Sequence, residues 1–88
     1  MTMEEFNKAL ERGPYAWPGG YPLYFVMADG EALSFEAAKQ EAGRIRTEIE
    51  FQIVEEWIPV ACEVNWEDSE LICAHTGARI ESAYGEEA

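Results

Sequence analysis

The feature that most constrains this chain is an alternation of side chains between residues 57 and 66. Every second residue there is apolar, namely Ile58, Val60, Cys62, Val64 and Trp66. The positions between them include Glu63 and Asn65. This alternation predicts a long β-strand with one face on a core and one face toward water. Pro59 has no backbone N–H to donate, so we expect a bulge or an edge position near the start of this strand.

The sequence after this strand predicts a turn and then a returning strand over residues 70–74. Two registers are open for the resulting hairpin. A two-residue turn would pair Cys62 with Cys73, and a three-residue turn would pair Val64 with Ile72. A one-residue slip between registers would move the other face of the strand inward.

The first half of the chain predicts two helices and a short hairpin. Thr2-Met3-Glu4-Glu5 has the pattern of a capping box, which predicts a helix over residues 3–12. Residues 23–28 favour a strand, and Asp29-Gly30 suits a tight turn after it. Ser34 is the expected N-cap of the second helix. Its apolar stripe is predicted to be Phe35, Ala38, Ala42, Ile45 and Ile49, and its polar face Glu36, Lys39, Glu41, Arg44 and Glu48.

Two segments between these elements have more than one interpretation. Residues 50–53 can extend the second helix or begin a strand, because Phe51 and Ile53 also alternate. The proline- and glycine-rich residues 14–22 are predicted to be irregular. Their aromatic rings, Tyr15, Trp17 and Tyr21, are expected to form a lid over the core, and partner binding is the alternative.

The order of elements, α-β-β-α-β-β, predicts an α+β fold. We expect a small antiparallel sheet of about four strands with two helices packed on one face. A chain of 88 residues is long enough for one core, which predicts a single compact domain over residues 1–88.

Charge excludes several functions. The net charge is −12, and residues 47–88 carry eleven acidic residues against one basic residue, Arg79. Direct binding to nucleic acid or to an anionic membrane surface is not expected, because phosphates would be repelled. A protein or ribonucleoprotein with a basic surface is the expected partner class, and solubility alone is the alternative explanation of the charge. The oligomeric state is left open.

The N-terminal residues carry acidic side chains and no apolar signal core, so no secretory peptide is expected. The chain has two cysteines, too few for a disulfide-stapled secreted domain. Reduced thiols in a cytoplasm are therefore expected.

Cys73 and His75 form the sharpest local motif, because cysteine and histidine are ligands that zinc prefers. A closed zinc site needs four such ligands, and the chain adds only Cys62 and carboxylates. Zinc binding is thus a weak expectation, and no cofactor is predicted. A catalytic Cys–His pair is weaker still, because no oxyanion loop accompanies it. We expect a protein that is not an enzyme.

The acidic residues around the end of the long strand suggest a binding surface. On the outer face of a hairpin they would form a line of negative charge that imitates a phosphate backbone. A merely hydrated sheet face is the alternative. The predicted partner-binding residues are Glu63, Asn65, Glu67, Asp68 and Glu70, with Trp17 and Tyr21 as anchors at the rim.

Three stretches carry a resemblance to a known class of proteins. They are WPGGYPLYFV at residues 17–26, VNWED at 64–68, and CAHTGARI at 73–80 with SAY at 82–84. Together they resemble small acidic proteins of unassigned function carried by bacteriophages and prophages. The resemblance implies a bacterial cytoplasm and a viral or mobile-element gene, and it transfers no catalytic residue.

Small acidic proteins from such settings often resemble anti-CRISPR or anti-restriction inhibitors, which block a defence complex by binding it. The expected function is therefore a non-enzymatic inhibitor that binds a host defence complex through an acidic surface. The alternative is a small structural or zinc-knuckle-like module that uses Cys73 and His75, either as a monomer or as a dimer.

Overall fold

The computed structural model describes residues 1–51 and 58–84. Within these residues the chain forms three helices and four strands. In order they are α1 (Met3–Arg12), β1 (Tyr15–Ala16), β2 (Tyr21–Met27), β3 (Ala32–Ser34), α2 (Phe35–Gln40), α3 (Ala42–Phe51) and β4 (Pro59–Val64). β2 pairs antiparallel with each of β1, β3 and β4. The predicted α+β class with a four-stranded antiparallel sheet is confirmed, with three helices in place of two.

The first helix forms as its capping box predicts. The Thr2 hydroxyl accepts the Glu5 N–H at 3.1 Å, and the Glu5 carboxylate accepts the Thr2 N–H at 2.8 Å. These bonds satisfy two of the backbone N–H groups that a helix start leaves open. Gly13, with a φ of +97°, ends the helix. The apolar stripe buries Phe6 and Ala9 against the core.

β2 and β3 form the predicted hairpin around Asp29-Gly30. Gly30 has a φ of +85° and donates its N–H to the Met27 carbonyl at 2.9 Å. Along β2, Leu23, Phe25 and Met27 are buried, whereas Tyr24 and Val26 between them are half-buried. One face of the sheet therefore belongs to the core, as the period of two requires.

The second predicted helix is divided into α2 and α3 at Glu41. Ser34 caps α2 by accepting the Ala37 N–H at 3.1 Å, as predicted. The predicted apolar stripe is confirmed, since Phe35, Ala38, Ala42 and Ile45 are buried and Ile49 is half-buried. Glu48 was wrongly predicted to be on the polar face. Its side chain is buried and faces the Arg44 guanidinium at 3.9 Å.

Side chains of all three helices share one apolar cluster with the inner face of β2. The Phe25 ring lies 5.7 Å from the Phe6 ring and 6.1 Å from the Phe35 ring, measured between centroids. Ile45 is fully buried in the same cluster. The helices thus cover one side of the sheet, and Cys73 and Ile80 of the C-terminal segment join the same cluster.

The alternation predicted for the long strand is wrong at both ends. Val26 pairs with Ala61 and Met27 pairs with Pro59, so Val60 is an extra residue in a β-bulge. The bulge exchanges the two faces, and Pro59 is buried while 53% of Val60 is exposed. The bulge expected near Pro59 is confirmed. It changes which residues face the core, and this change was not predicted from the sequence.

Past Val64 the strand has ended, so its parity no longer holds. Asn65 was predicted to face outward and is buried, and Trp66 was predicted to face inward and is half-exposed. Cys62 and Val64, within the strand, are half-buried opposite Phe25 and Leu23.

The predicted hairpin between residues 57–66 and 70–74 does not form. The partner of β4 is β2, with Val64 opposite Leu23, so both proposed hairpin registers are wrong. The segment after β4 passes to the β3 edge of the sheet. There the Ala74 N–H donates to the Ala32 carbonyl of β3 at 2.8 Å. A single bridge joins residues 72 and 79, with a turn at residues 74–76 between them.

The choice between helix and strand is decided for residues 50 and 51. Glu50 and Phe51 belong to α3, and residues 52 and 53 lie outside the described residues. None of the helices described is long and apolar enough to span a membrane.

Candidate partner-binding surface

Asn65 holds the C-terminal segment against the end of the sheet. Its side chain is 4% exposed, and its Nδ2 donates to the carbonyls of Asp68 at 3.0 Å and Glu81 at 3.1 Å. Its Oδ1 accepts the Asp68 N–H at 3.2 Å. A buried amide that joins two chain segments cannot also face a partner. The prediction that Asn65 is a contact residue is therefore wrong, and its role is to position the residues around it.

Glu63 and Asp68 lie on the outer side of the sheet, around one tyrosine. Glu63 is exposed and sits opposite Tyr24 in the β2–β4 ladder. The pKa of Tyr24 is raised, first by burial and then by the negative charges of Glu63 and Asp68. Negative charges near a phenol disfavour the phenolate, which is the direction of this shift.

The remaining predicted acidic residues follow in an exposed turn. Asp68 accepts the Glu70 N–H through Oδ1 at 2.9 Å, which fixes the turn from within. Glu67 and Glu70 are exposed on either side of it. The structure therefore places Glu63 at an exposed position of β4, and Glu67, Asp68 and Glu70 in the turn that follows.

Three aromatic rings form a cluster at the end of the sheet where β2 begins and β4 ends. The Tyr21 ring lies 4.8 Å from the Trp66 ring and 6.1 Å from the Tyr84 ring. Trp66 and Tyr84 are also 6.1 Å apart, with their planes within 10° of parallel. We call Tyr21, Trp66 and Tyr84 the three-ring cluster. Trp66 is 49% exposed and Tyr84 is 63% exposed, so the cluster presents a broad apolar surface to solvent.

The backbone of the C-terminal segment sets the cluster in place. The Tyr84 N–H donates to the Trp66 carbonyl at 2.7 Å, and the Ala83 N–H donates to the Asn65 carbonyl at 2.8 Å. The Tyr84 hydroxyl donates to the Tyr21 hydroxyl at 3.4 Å, and this hydrogen bond is the main cause of a raised pKa at Tyr84. Only Tyr21 was predicted as a site residue. Trp66 could have been found from its place directly before Glu67 and Asp68.

Trp17 is the most exposed large apolar residue in the same loop. Its side chain is 73% exposed, so the predicted lid over the core is wrong for this ring. Its bond to Pro18 is cis, and its ring lies over Gly20, where a β-carbon would be 3.1 Å away. Tyr15, by contrast, is held by a hydrogen bond, because its hydroxyl donates to the Glu81 carboxylate at 2.9 Å. Trp17 is thus exposed to solvent, and its role as an anchor at the rim stays a prediction.

Cys73 and His75 have separate environments. Cys73 is fully buried, and its sulfur accepts the Ser34 N–H at 3.3 Å. Burial opposes the thiolate, but hydrogen bonds from Ser34 and Thr76 outweigh it and lower the pKa of Cys73 to about 7. The His75 Nε2 lies 3.3 Å from the Glu41 carboxylate.

Cys62, the other thiol, lies in a groove of about 430 Å³ between α1 and β4. The Arg12 guanidinium donates to its sulfur at 3.7 Å. Burial is the largest influence on this thiol and raises its pKa despite the nearby cation. Among the described residues, no three His, Cys, Asp or Glu side chains come together as a possible metal site.

Several cations are already engaged with carboxylates of the helices. Lys8 pairs with Glu4 at 3.1 Å, and Arg44 faces Glu48, as noted above. Arg79, the basic residue of the C-terminal half, donates to the Ser69 carbonyl at 3.2 Å. The Arg79 guanidinium therefore lies beside the acidic turn, where Glu63, Glu67, Asp68 and Glu70 still outnumber this one cation.

Comparison with known protein families, with curated proteins and with solved structures finds no match to this chain. The function has to be argued from the geometry and charge of the surface itself.

Proposed function

We propose that this protein is a non-enzymatic inhibitor that binds a basic surface of a bacterial defence complex. The observation that carries the proposal is the convergence of charge and apolar area at one end of the sheet. Glu63 is exposed opposite Tyr24 there, Glu67 and Asp68 are exposed in the following turn, and the three-ring cluster lies alongside. Exposed aromatic area beside charge is typical of protein-binding surfaces.

The carboxylates would act as acceptors for arginine and lysine side chains that otherwise hold nucleic acid phosphates. A fixed set of negative charges competes for such a groove through the same electrostatics that attract nucleic acid. The complex should therefore form rapidly and weaken as the salt concentration rises.

The contact residues proposed are an altered version of those predicted from the sequence. Asn65 leaves the set because its amide is buried, and Trp66 and Tyr84 join it because they are exposed beside Tyr21. The full set is Glu63, Glu67, Asp68, Glu70, Trp17, Tyr21, Trp66 and Tyr84.

The non-enzymatic part of the proposal is supported by the state of the thiols. Cys73 has a pKa lowered to about 7 but is fully buried away from any substrate, and the raised pKa of Cys62 disfavours its nucleophilic form. The cellular setting, a bacterial cytoplasm and a phage or prophage gene, is proposed from the resemblance of the sequence.

Phage plating on defended bacteria tests this function. The protein is produced in strains that each carry one CRISPR or restriction system, and plaques of a targeted phage are counted. We expect the wild-type protein to restore plating on at least one strain. The variant Glu63→Lys/Glu67→Lys should lose this effect, because both residues are exposed on the contact surface.

A charge-matched variant separates the surface from the overall charge. Glu11→Lys/Glu50→Lys changes the net charge by the same amount at exposed positions on α1 and α3. Both positions are near helix C-termini, where lysine is favourable. This variant should inhibit like the wild type. Equal inhibition by both double variants, or no restored plating on any strain, would refute the proposal.

A further inference from the structure

The three-ring cluster is more than apolar area, because its rings contact one another and acidic residues neighbour them in the chain. Trp66 is followed directly by the exposed Glu67 and Asp68, and Glu81, which accepts the Tyr15 hydroxyl, lies three residues before Tyr84. Aromatic faces attract cations through the ring quadrupole, and nearby carboxylates add a direct charge attraction. The surroundings of the cluster thus favour a positively charged occupant.

The geometry points to an arginine-binding anchor: we propose that the three-ring cluster receives an arginine side chain from a basic segment of a partner protein. This inference rests on the proposed function and adds the chemistry of recognition to it. A guanidinium is planar and weakly hydrated, so it stacks on exposed rings and forks to a carboxylate at the same time. A lysine ammonium is compact and strongly hydrated, and it gains less from a flat aromatic face.

The cluster is preorganised for such stacking. Two backbone hydrogen bonds at 2.7 and 2.8 Å fix the segment that carries Tyr84. The Tyr21 ring is packed over Gly19, where a β-carbon would lie 2.5 Å from the ring. Rings that are already fixed lose little conformational freedom on binding, which favours affinity.

A second copy of this chain is a poorer occupant of the same surface. Self-association through the cluster would bring Glu67, Asp68 and Glu81 close to the same residues of the other copy. Like charges at an interface oppose association, and the net charge of −12 adds to this repulsion. Charge complementarity therefore favours a basic partner.

The contacts within the cluster also argue against a cage for a methylated ammonium group. Tyr21 is in direct contact with Trp66 at 4.8 Å, so the cation would have to bind on the exposed outer faces. A flat group fits these faces better than a round one. This is the second reason for arginine.

The test compares an oligo-arginine peptide with an oligo-lysine peptide of the same length, by calorimetry near physiological salt. We expect the wild-type protein to bind the arginine peptide about fivefold more tightly, the size of a cation–π contribution at a partly exposed site. Trp66→Ala and Tyr84→Ala should each reduce this preference, with little change in affinity for the lysine peptide. Phe51→Ala, at a ring that is 69% exposed on α3, should leave it unchanged.

Equal affinity of the wild-type protein for the two peptides would overturn the inference, as would a preference that survives both ring substitutions. A dimer that dissociates on Tyr84→Ala, measured by light scattering, would also overturn it by assigning the surface to a second copy. Circular dichroism confirms that each variant is folded.

The outcomes separate this inference from the proposed function. If the arginine anchor is wrong and the inhibitor is real, Glu63→Lys/Glu67→Lys abolishes inhibition while the wild-type protein shows no preference for the arginine peptide. If the inhibitor proposal is wrong, plating is never restored, and the arginine preference of the cluster is still measured directly.

Discussion

Replacement of Asn65 by alanine is expected to destabilise this protein strongly. The side chain makes three hydrogen bonds of 3.0 to 3.2 Å to backbone groups of Asp68 and Glu81. Each such bond contributes about 1 kcal/mol, so the free energy of unfolding should fall by about 3 kcal/mol. The Nδ2 group also lies 3.4 Å from the carbonyl of the buried Ile80, so the penalty for leaving that carbonyl without a partner adds to this loss. A domain of this size has roughly 4 to 13 kcal/mol of stability in total.

The assay is urea unfolding followed by circular dichroism. Asn7→Ala is the matched control, because the Asn7 side chain is exposed and accepts one bond from Arg46 at 2.8 Å. The control should change stability by less than about 0.5 kcal/mol. A loss of less than about 1 kcal/mol for Asn65→Ala would refute the role of this amide in holding the C-terminal segment.

Asn65→Asp adds a signature that packing alone would not give. The substitution replaces the Nδ2 donor with an acceptor that faces two carbonyl oxygens. The charged form is disfavoured in the folded state, so the folded pKa of this new carboxyl should rise above its unfolded value. The Asn65→Asp protein should then be least destabilised in acid, and its free energy of unfolding should fall as the pH rises through the folded pKa of Asp at this position.

Four further predictions follow from individual contacts. The pKa of Cys73 is lowered to about 7 in the folded protein. Ionisation of this thiol therefore adds nothing to the free energy of unfolding in acid, and its contribution grows as the pH rises from about 7 toward the pKa of the unfolded chain. The stability difference between wild type and Cys73→Ala should thus increase over that window, and a constant difference in urea unfolding would contradict it. A thiol reagent should label half-buried Cys62 well before enclosed Cys73, as read by mass spectrometry of the digested protein. Thr2→Ala should lower the free energy of unfolding by about 1 kcal/mol in urea unfolding, because the capping box is lost. A change near zero would show that the helix start is frayed. Elemental analysis of the purified protein should find no stoichiometric zinc, and one zinc per chain would favour the alternative based on Cys73 and His75.

Local chemistry explains which parts of the fold could be predicted from the sequence. The capping box at Thr2, the turn at Asp29-Gly30 and the N-cap at Ser34 each depend on residues within three or four positions of one another. The apolar stripe of α2 and α3 survives the break at Glu41 because the 3.6-residue period is kept. Such features need no knowledge of distant segments.

The errors occurred where distant parts of the chain decide the structure. The bulge at Val60 depends on pairing with β2, more than thirty residues earlier. The burial of Asn65 depends on Glu81, which supplies one of its carbonyl partners. The candidate site shares this limit, because Tyr21, Trp66 and Tyr84 come from three separated segments. The acidic composition of this region could be predicted from the sequence, but the proximity of the three rings could not.

The central claim is that the outer end of the sheet, with its carboxylates and three-ring cluster, is where a basic partner binds. An amide chemical-shift map recorded during titration with the oligo-arginine peptide tests it most directly. The largest shifts are expected at Tyr21, Tyr24, Glu63, residues 66–68 and Tyr84. Shifts spread evenly over the acidic residues of the molecule, or concentrated on α1 and α3, would contradict it.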